Sequence, residues 1–299
     1  MINTSKSQSD IAFVVVVYLI LIVALVVTLY PMLFVLSASI SDPNLVNTGK
    51  VFLFPKGIMF DGYRRILRQS SVWVGYRNSI MYTILGTAIN LIITLPGAYA
   101  LSRKDTPMRG FFSKLFLFTM FFSGGLIPTY MLVRGLGLRD TIWSVILPVG
   151  CSTYNLIVTR TYFVNSVSGE IEEAAEIDGC SIFQLFFRIV LPLSSPIIAV
   201  MALLYGVGHW NSYFNAMIYL SNRDLFPLQV ILREILIVQA ADSSQAMTVE
   251  VAESLALQSR MAEMMKYGVM VVATIPVLAI YPIAQKYFVK GIMIGALKG

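Results

Sequence analysis

A chain of 299 residues that is 57% hydrophobic and only 13% charged is too apolar for a soluble domain, so lipid must be the solvent for most of it. Its formal charge of +6 is small for this length and suits anionic headgroups around helix ends, not nucleic acid. Two cysteines, Cys151 and Cys180, give no disulfide framework, the single His209 gives no metal-ligand cluster, and no glycine-rich loop ending in Lys-Ser or Lys-Thr is present to cradle a nucleotide.

Residues 1–10 are polar, and the apolar run 11–36 that follows is long enough to span a bilayer even when tilted. Ser37-Ala38-Ser39 has the small residues of a signal-peptide cleavage site, but the run is about twice a signal peptide's usual apolar length, which favours an uncleaved anchor. Residues 40–76 form a long connection, punctuated by Pro43, Gly49, Pro55 and Gly57 and then reading as an amphipathic interfacial helix. A second span is expected over 80–101, with Asn90, Pro96 and Gly97 inside it, followed by the short loop SRKDTPMRG. A third is expected over 112–133, where Gly124, Gly125 and Pro128 predict a bend facing a cavity. The fourth, over 141–162, carries Pro148, Tyr154 and Asn155.

The next stretch, 168–192, is less apolar and more patterned. Ser168 suits the N-cap of a short helix over 169–178, on which Ile171, Ala174, Ala175 and Asp178 share one small, mildly apolar face flanked by Glu170, Glu172, Glu173 and Glu176. Gly179 suits the left-handed residue that stops a helix. Ser181 with Gln184 offers a capping box for a second short helix, which Pro192 is expected to end. These residues alone suit either a loop packed on its own chain or a knob that docks another surface.

Ser195 as N-cap and Pro196 at the first helical position open a fifth span over 196–220. After a long connection, 221–265, a sixth span is expected over 267–288, and the chain closes on a short basic, glycine-bearing stretch from Lys290 to Gly299, of which 293–299 is the tail. Six spans put both termini and the 168–192 loop on the same side. Counting Lys and Arg does not settle which side that is, because many of them sit in the two long connections, which the positive-inside rule weights less.

The run Glu173-Ala174-Ala175-Glu176-Ile177-Asp178-Gly179, closed by Ile189-Val190-Leu191-Pro192, resembles the cytoplasmic coupling loop of permease subunits in bacterial ATP-binding-cassette importers. Five further runs resemble the carbohydrate-importer permeases, in particular the branch for larger oligosaccharides: GTAINLIITLPGAYALSRKD, FTMFFSGGLIPTYMLV, LGLRDTIWSVILP, VGHWNSYFNAMIYL and YPIAQKYFVKGIMIGALKG. Gly169 stands where a proline often opens the coupling helix in that family. The resemblance implies an all-α polytopic protein of the type I importer permease fold, with six transmembrane helices and both termini in the cytoplasm of a bacterial cell. It also implies a second, homologous permease subunit, two ATPase subunits carrying ATP-Mg, and an extracytoplasmic solute-binding protein that meets the 221–265 connection. The chain itself would bind no cofactor and perform no covalent chemistry.

On this resemblance the ATPase is coupled through Glu173, Ala174, Ala175, Asp178, Gly179, Leu191 and Pro192. Glu173 offers a carboxylate to a basic group of the partner, Ala174, Ala175 and Gly179 act by their small size, and Glu170, Glu172 and Glu176 read as a solvated acidic rim. For the substrate path, His209, Trp210, Asn211, Tyr213 and Asn215 supply aromatic faces for sugar C–H groups and amides for hydroxyls, with Tyr130, Tyr154 and Asn155 from other spans. The same residues also suit interhelical hydrogen bonding and an interfacial aromatic belt. An ion-coupled secondary transporter is one rival, but it would need midplane carboxylates and the spans contain almost none; an intramembrane enzyme is another, but the spans hold no catalytic pair or metal motif, and a permease for another solute class is a third.

Overall fold

The computed structural model describes residues 8–242, 265–282 and 285. The chain before residue 8, residues 243–264 of the second long connection, the end of the sixth span and the tail lie outside them. Among the described residues every regular element is helical. They form two compact units, one from Met1–Gln69 with Arg233–Thr274 and the other from Ser70–Leu232 with Ile275–Gly299.

In the first unit, α1 (Gln8–Ser39) is apolar on every side and leaves its side chains exposed through most of its length, as suits a helix solvated by lipid. Its last turn is anchored. Ala38 packs with Val46 of α2 (Pro43–Asn47) and with Val51, while Tyr63 of α3 (Asp61–Arg68) donates to Ser39 Oγ at 2.8 Å. Asp42 caps α2 by accepting from the Asn44 amide. The connection after α1 is therefore folded, and its helical second half is shorter than expected, stopping at Arg68.

The second unit is built on α4 (Ser70–Ser102), which starts at Ser70 instead of near 80 and is about 50 Å long at 1.5 Å per residue. Asn78, Tyr82, Gly86, Asn90, Thr94 and Ala98 recur every four residues and are all buried, so one ridge of the helix is a polar and small-residue seam. In lipid such a seam must find protein partners. Asn78 donates to the carbonyls of Asp224 and Phe226, Tyr82 to that of Leu225, and Ser79 Oγ accepts from the Leu228 amide. These bonds explain the early start: the first turns of α4 are gripped by the segment 224–228, which tertiary contact alone brings there.

Helices α5 (Arg109–Phe121) and α6 (Leu126–Gly135) meet at 114°, so the expected third span is broken. The break falls where expected: Gly125 has φ +84°, and its amide is taken by Ser123 Oγ. The expected fourth span, 141–162, is not one helix either. After the short α7 (Trp143–Ile146), a tight turn at Leu147–Val149 contains Pro148, and α8 (Thr153–Ser166) starts afresh with Ser152 as its cap. This interruption frees backbone groups inside the unit, and side chains from neighbouring helices take them up. Asn90 donates to Val149 O at 2.6 Å, and the Ser152 amide donates to the Tyr205 hydroxyl at 3.3 Å.

After α9 (Gly169–Ile177), α10 (Ile182–Leu185) continues through a wide π turn, Phe186–Val190, into α11 (Leu191–Leu193), and then α12 (Ser195–Trp210) sets off at 80°. Pro192 thus does not end the second short helix as expected. The Leu191 amide reaches back five residues to Phe186 O, and this looser turn carries the helix through the proline to a bend at Ser194. Ser194, not Ser195, is the flanking residue, and Pro196 lies within the first turn of α12. The expected fifth span stops at Trp210 and resumes as the short α13 (Phe214–Tyr219). The described chain closes with α14 (Leu228–Asp242) and α15 (Met265–Pro282). Of the described helices, α1, α4 and α15 are long and apolar enough to cross a bilayer, and two bent pairs, α5 with α6 and Ile182–Leu193 with α12, qualify when each is joined.

Two substitutions test the seam. A Cβ on Gly86 would run into the His209 ring, so Gly86→Val should abolish recovery of monodisperse protein in detergent. Asn90→Leu leaves His209 and Val149 O without their partner and should cost about 1–3 kcal/mol. Thermal unfolding in detergent should show a larger loss for Asn90→Leu than for Tyr205→Phe.

Candidate functional site

The loop between α8 and α12 is held against the second unit by an aromatic and aliphatic core. Leu95, Ala98, Tyr99 and Leu101 of α4, Phe163 of α8, Ala175 of α9 and Leu185, Phe186 and Val190 beyond it are all buried together. Tyr99 packs edge-on against Phe163 and tilts over Phe186, with ring centres 5.8 and 5.2 Å apart. The turn after α9 has the expected chemistry. Gly179 has φ +76°, its amide bonds Glu176 O, and the Cys180 amide reaches back to Ala175 O, a Schellman closure. Ser181 and Gln184 then form the expected capping box. Ser168 stands at the start of α9, but its side chain makes no capping bond.

The acidic residues of α9 divide differently from the expected rim. Glu172 accepts from the Tyr99 hydroxyl at 3.0 Å, and Glu176 accepts from Arg103 Nη2 at 2.9 Å. Arg103, just past the end of α4, has a side chain only 8% exposed. It also grips Asp105 through Nε and Nη2, both at 2.9 Å, donates to Tyr99 Oη at 3.1 Å, and lies 3.6 Å from Glu172. A buried cation is tolerable only with such a set of partners. They raise the Arg103 pKa further, with the Asp105 hydrogen bonds the largest cause, and Arg103 in turn holds the Asp105 carboxyl below its ordinary range. Sequence reading missed this cluster. Its available signals were Tyr99 and Arg103 four apart at a helix end, and Glu172 and Glu176 four apart on the facing helix.

Glu170, Glu173, Ala174, Asp178 and Gly179 are exposed, and Glu173 has no hydrogen bond or ion pair among the described residues. Beside them stand Ile177, 86% exposed, and Phe183, 77% exposed, with Ile182 and Phe187 also bare. The small-residue face therefore splits: Ala174 looks outward, whereas Ala175 is packed inside the chain's own core. A Cβ on Gly179 would meet nothing within 4 Å, so within this chain its φ is what calls for glycine. Leu191 is half-buried and Pro192 is exposed.

The expected path residues are not brought into one lining. His209 is buried between α12 and α4, where its ring lies on Gly86 and its Nε2 is 2.6 Å from Asn90 Oδ1. Because Asn90 gives its amide to Val149 O, its oxygen faces the ring, so His209 Nε2 is the donor. Trp210 is buried beside Tyr76, ring centres 6.1 Å apart, and lines a largely apolar cavity of about 380 Å³ with Thr83, Thr87, Gly206 and Pro276. Tyr130 stacks on Tyr219, and Asn155 is buried at the start of α8. Asn211, Tyr213 and Tyr154 are exposed, and Asn215 is half-buried.

Residues 70–294 match the family described as "Binding-protein-dependent transport system inner membrane component". The chain belongs to that family. Among similar proteins, "Protein LplC" of Bacillus subtilis (strain 168) is 38% identical over 91% of this chain and 90% of its own. "Polygalacturonan/rhamnogalacturonan transport system permease protein YtcP" of the same strain is 38% identical over 96% of this chain and 98% of its own. A solved structure described as a "bacterial ABC transporter involved in the import of the acidic polysaccharide alginate" superposes with a TM-score of 0.82 at 35% identity, over 96% of this chain and 100% of that one. The fold is that of a type I importer permease, and the protein is a membrane component of an ATP-binding-cassette importer. Membership implies an ATPase and a solute-binding protein as partners of this permease.

Asp105→Asn weakens the chelate on Arg103, and protease nicking of the 102–109 connection in detergent should rise. In the unsubstituted permease the Asp105 carboxyl is held low, so its contribution is complete above about pH 5 and is lost as the pH falls further. Nicking should therefore be the same at pH 8 and pH 5.

Proposed function

We propose that this permease forms half of a path that imports a carbohydrate of oligosaccharide size across the bacterial cell membrane, driven by ATP bound to partner subunits. It crosses the membrane six times, with both termini and the 168–192 loop on the cytoplasmic side. A second, homologous permease completes the path as a heterodimer, and an extracytoplasmic solute-binding protein delivers the sugar to the side bearing the 221–265 connection. This chain binds no cofactor and does no covalent chemistry; two ATPase subunits bind ATP-Mg and hydrolyse it.

The observation that carries the coupling role is the bare surface of α9 and α10. Exposed apolar side chains are expected where lipid is the solvent, but Ile177 and Phe183 stand among Glu173, Asp178 and the Gly179 turn on a polar loop. A patch of that kind marks a protein partner. Glu173 supplies the free carboxylate, Ala174 the close approach and Gly179 the fixed turn, while Ala175 and Leu191 hold the loop's shape from behind and the exposed Pro192 flanks it. Closure of the ATPase pair moves this loop, and the permease alternates between outward and inward access. On the path, Asn211, Tyr213, Asn215 and Tyr154 offer the accessible polar and aromatic groups. His209, Trp210, Tyr130 and Asn155 set the packing behind them in this conformation.

Cells lacking the permease should lose uptake of one member of a panel of labelled neutral and uronate oligosaccharides. The purified complex should contain an ATPase and a second permease. Glu173→Lys and Gly179→Asp should each abolish uptake while the isolated solute-binding protein still binds its ligand; unchanged uptake in both variants would overturn the docking role.

A further inference from the structure

The buried Arg103 cluster joins two elements with different duties. Helix α9 carries the docking surface, and α4 carries the seam on which the rest of the second unit is assembled. Apart from the apolar packing of Ala175, α9 meets α4 and its end through polar groups: Tyr99 to Glu172, and Arg103 to Glu172 and Glu176. Glu172 and Glu176 lie four apart, so both point from one face of α9, and the bare Glu173 and Ile177 lie about 100° round the helix from it.

The end of α4 that receives them is itself fixed. The Leu101 carbonyl accepts from Arg160 of α8 at 3.0 Å, the Ala100 carbonyl accepts from Thr106, and the Tyr99 carbonyl accepts from the Arg103 amide. Cations at a helix C-terminus complement its dipole. At the far end of α4, Asn78, Ser79 and Tyr82 hold the 224–228 segment. A displacement of α9 therefore meets a helix that is gripped at both ends and bonded to α12 in the middle through Asn90 and His209.

We propose that Arg103 is the positioning residue that links the docking helix to α4, so that movement of α9 on the ATPase is passed to α4 through the Arg103–Glu172–Glu176–Tyr99 cluster. This rests on the reading of α9 as the ATPase contact. A guanidinium has the right geometry for such a link. Its planar fork holds Asp105 on one side and offers its remaining N–H groups to Tyr99 and α9, so α9 cannot shift without either pulling Arg103 along or breaking charge-assisted bonds.

The test uses the whole complex, with both permeases, the ATPase subunits and the solute-binding protein, reconstituted in lipid vesicles. ATP hydrolysis and uptake are measured on the same preparation, and ATPase retention is measured by co-purification. The double variant Glu172→Gln with Glu176→Gln keeps side-chain shape and leaves Arg103 paired with Asp105, so the fold is preserved. It should retain the ATPase and hydrolyse ATP, but import about tenfold less solute per ATP, the size of an ordinary coupling between sites. Arg103→Lys, which keeps the charge and loses the fork, should fall between. Unchanged import per ATP would overturn the proposal, and so would loss of hydrolysis and import in proportion to loss of bound ATPase, because Arg103 would then only shape the docking surface. Glu173→Lys and Gly179→Asp separate this from the underlying reading: if the ATPase stays bound and uptake is normal in both variants, the docking assignment has failed, whatever the double variant does.

Discussion

The structure depends on one constraint: a helix solvated by lipid carries a row of polar side chains, and each must be satisfied from within the protein. Asn78, Ser79, Tyr82, Asn90 and Thr94 of α4 would be costly in hydrocarbon. Their partners are found on the segment 224–228, on the broken turn at Val149 and on α12, where the Thr94 hydroxyl lies 2.7 Å from that of Tyr205. Gly86 on the same ridge lets His209 come close enough to bond Asn90, and Gly75 beside it leaves room for Leu228. Polar pairing and small-residue contact thus act together, in a solvent where apolar burial by itself favours no one arrangement.

The interruptions in the other helices follow from that arrangement. Pro148 breaks the run between α7 and α8, leaving backbone groups that would be intolerable against lipid, and Asn90 and Tyr205 take them up. The π turn before Pro192 lets a helix continue through a residue with no amide to donate and brings the chain round at Ser194. The break at Pro148 lies beside α4, and the bend at Ser194 leads into α12, which packs on it. The 168–192 loop is built on the same support, with its core on Tyr99 and its charges on Arg103.

Much of the 168–192 loop was legible in its residues, because turn and cap chemistry are local. Gly179 takes the left-handed conformation, and Ser181 and Gln184 close the box, as their spacing demands. The direction each side chain faces was not legible. A short helix with Glu on several sides gives no periodicity strong enough to separate inside from outside, so Ala175 and Ala174 looked equivalent and Glu172 and Glu176 looked solvated. The path residues show the same limit. His209 and Asn155 are polar residues in apolar runs, which suits a lining and a brace equally, and only the proximity of Gly86 and Asn90 makes His209 a brace here.

The sequence by itself determined the solvent, the helical class, the family and the turns at Gly125 and Gly179, because hydropathy and glycine act within a few residues. Tertiary structure decided where α4 begins, which spans are broken, which carboxylates are spent on Arg103 and which face outward. Those features depend on groups far apart in the chain, such as Asn78 with Asp224, Asn90 with His209 and Arg103 with Glu176. A polar side chain in lipid must have a partner, but its own sequence neighbourhood does not say which distant residue supplies it.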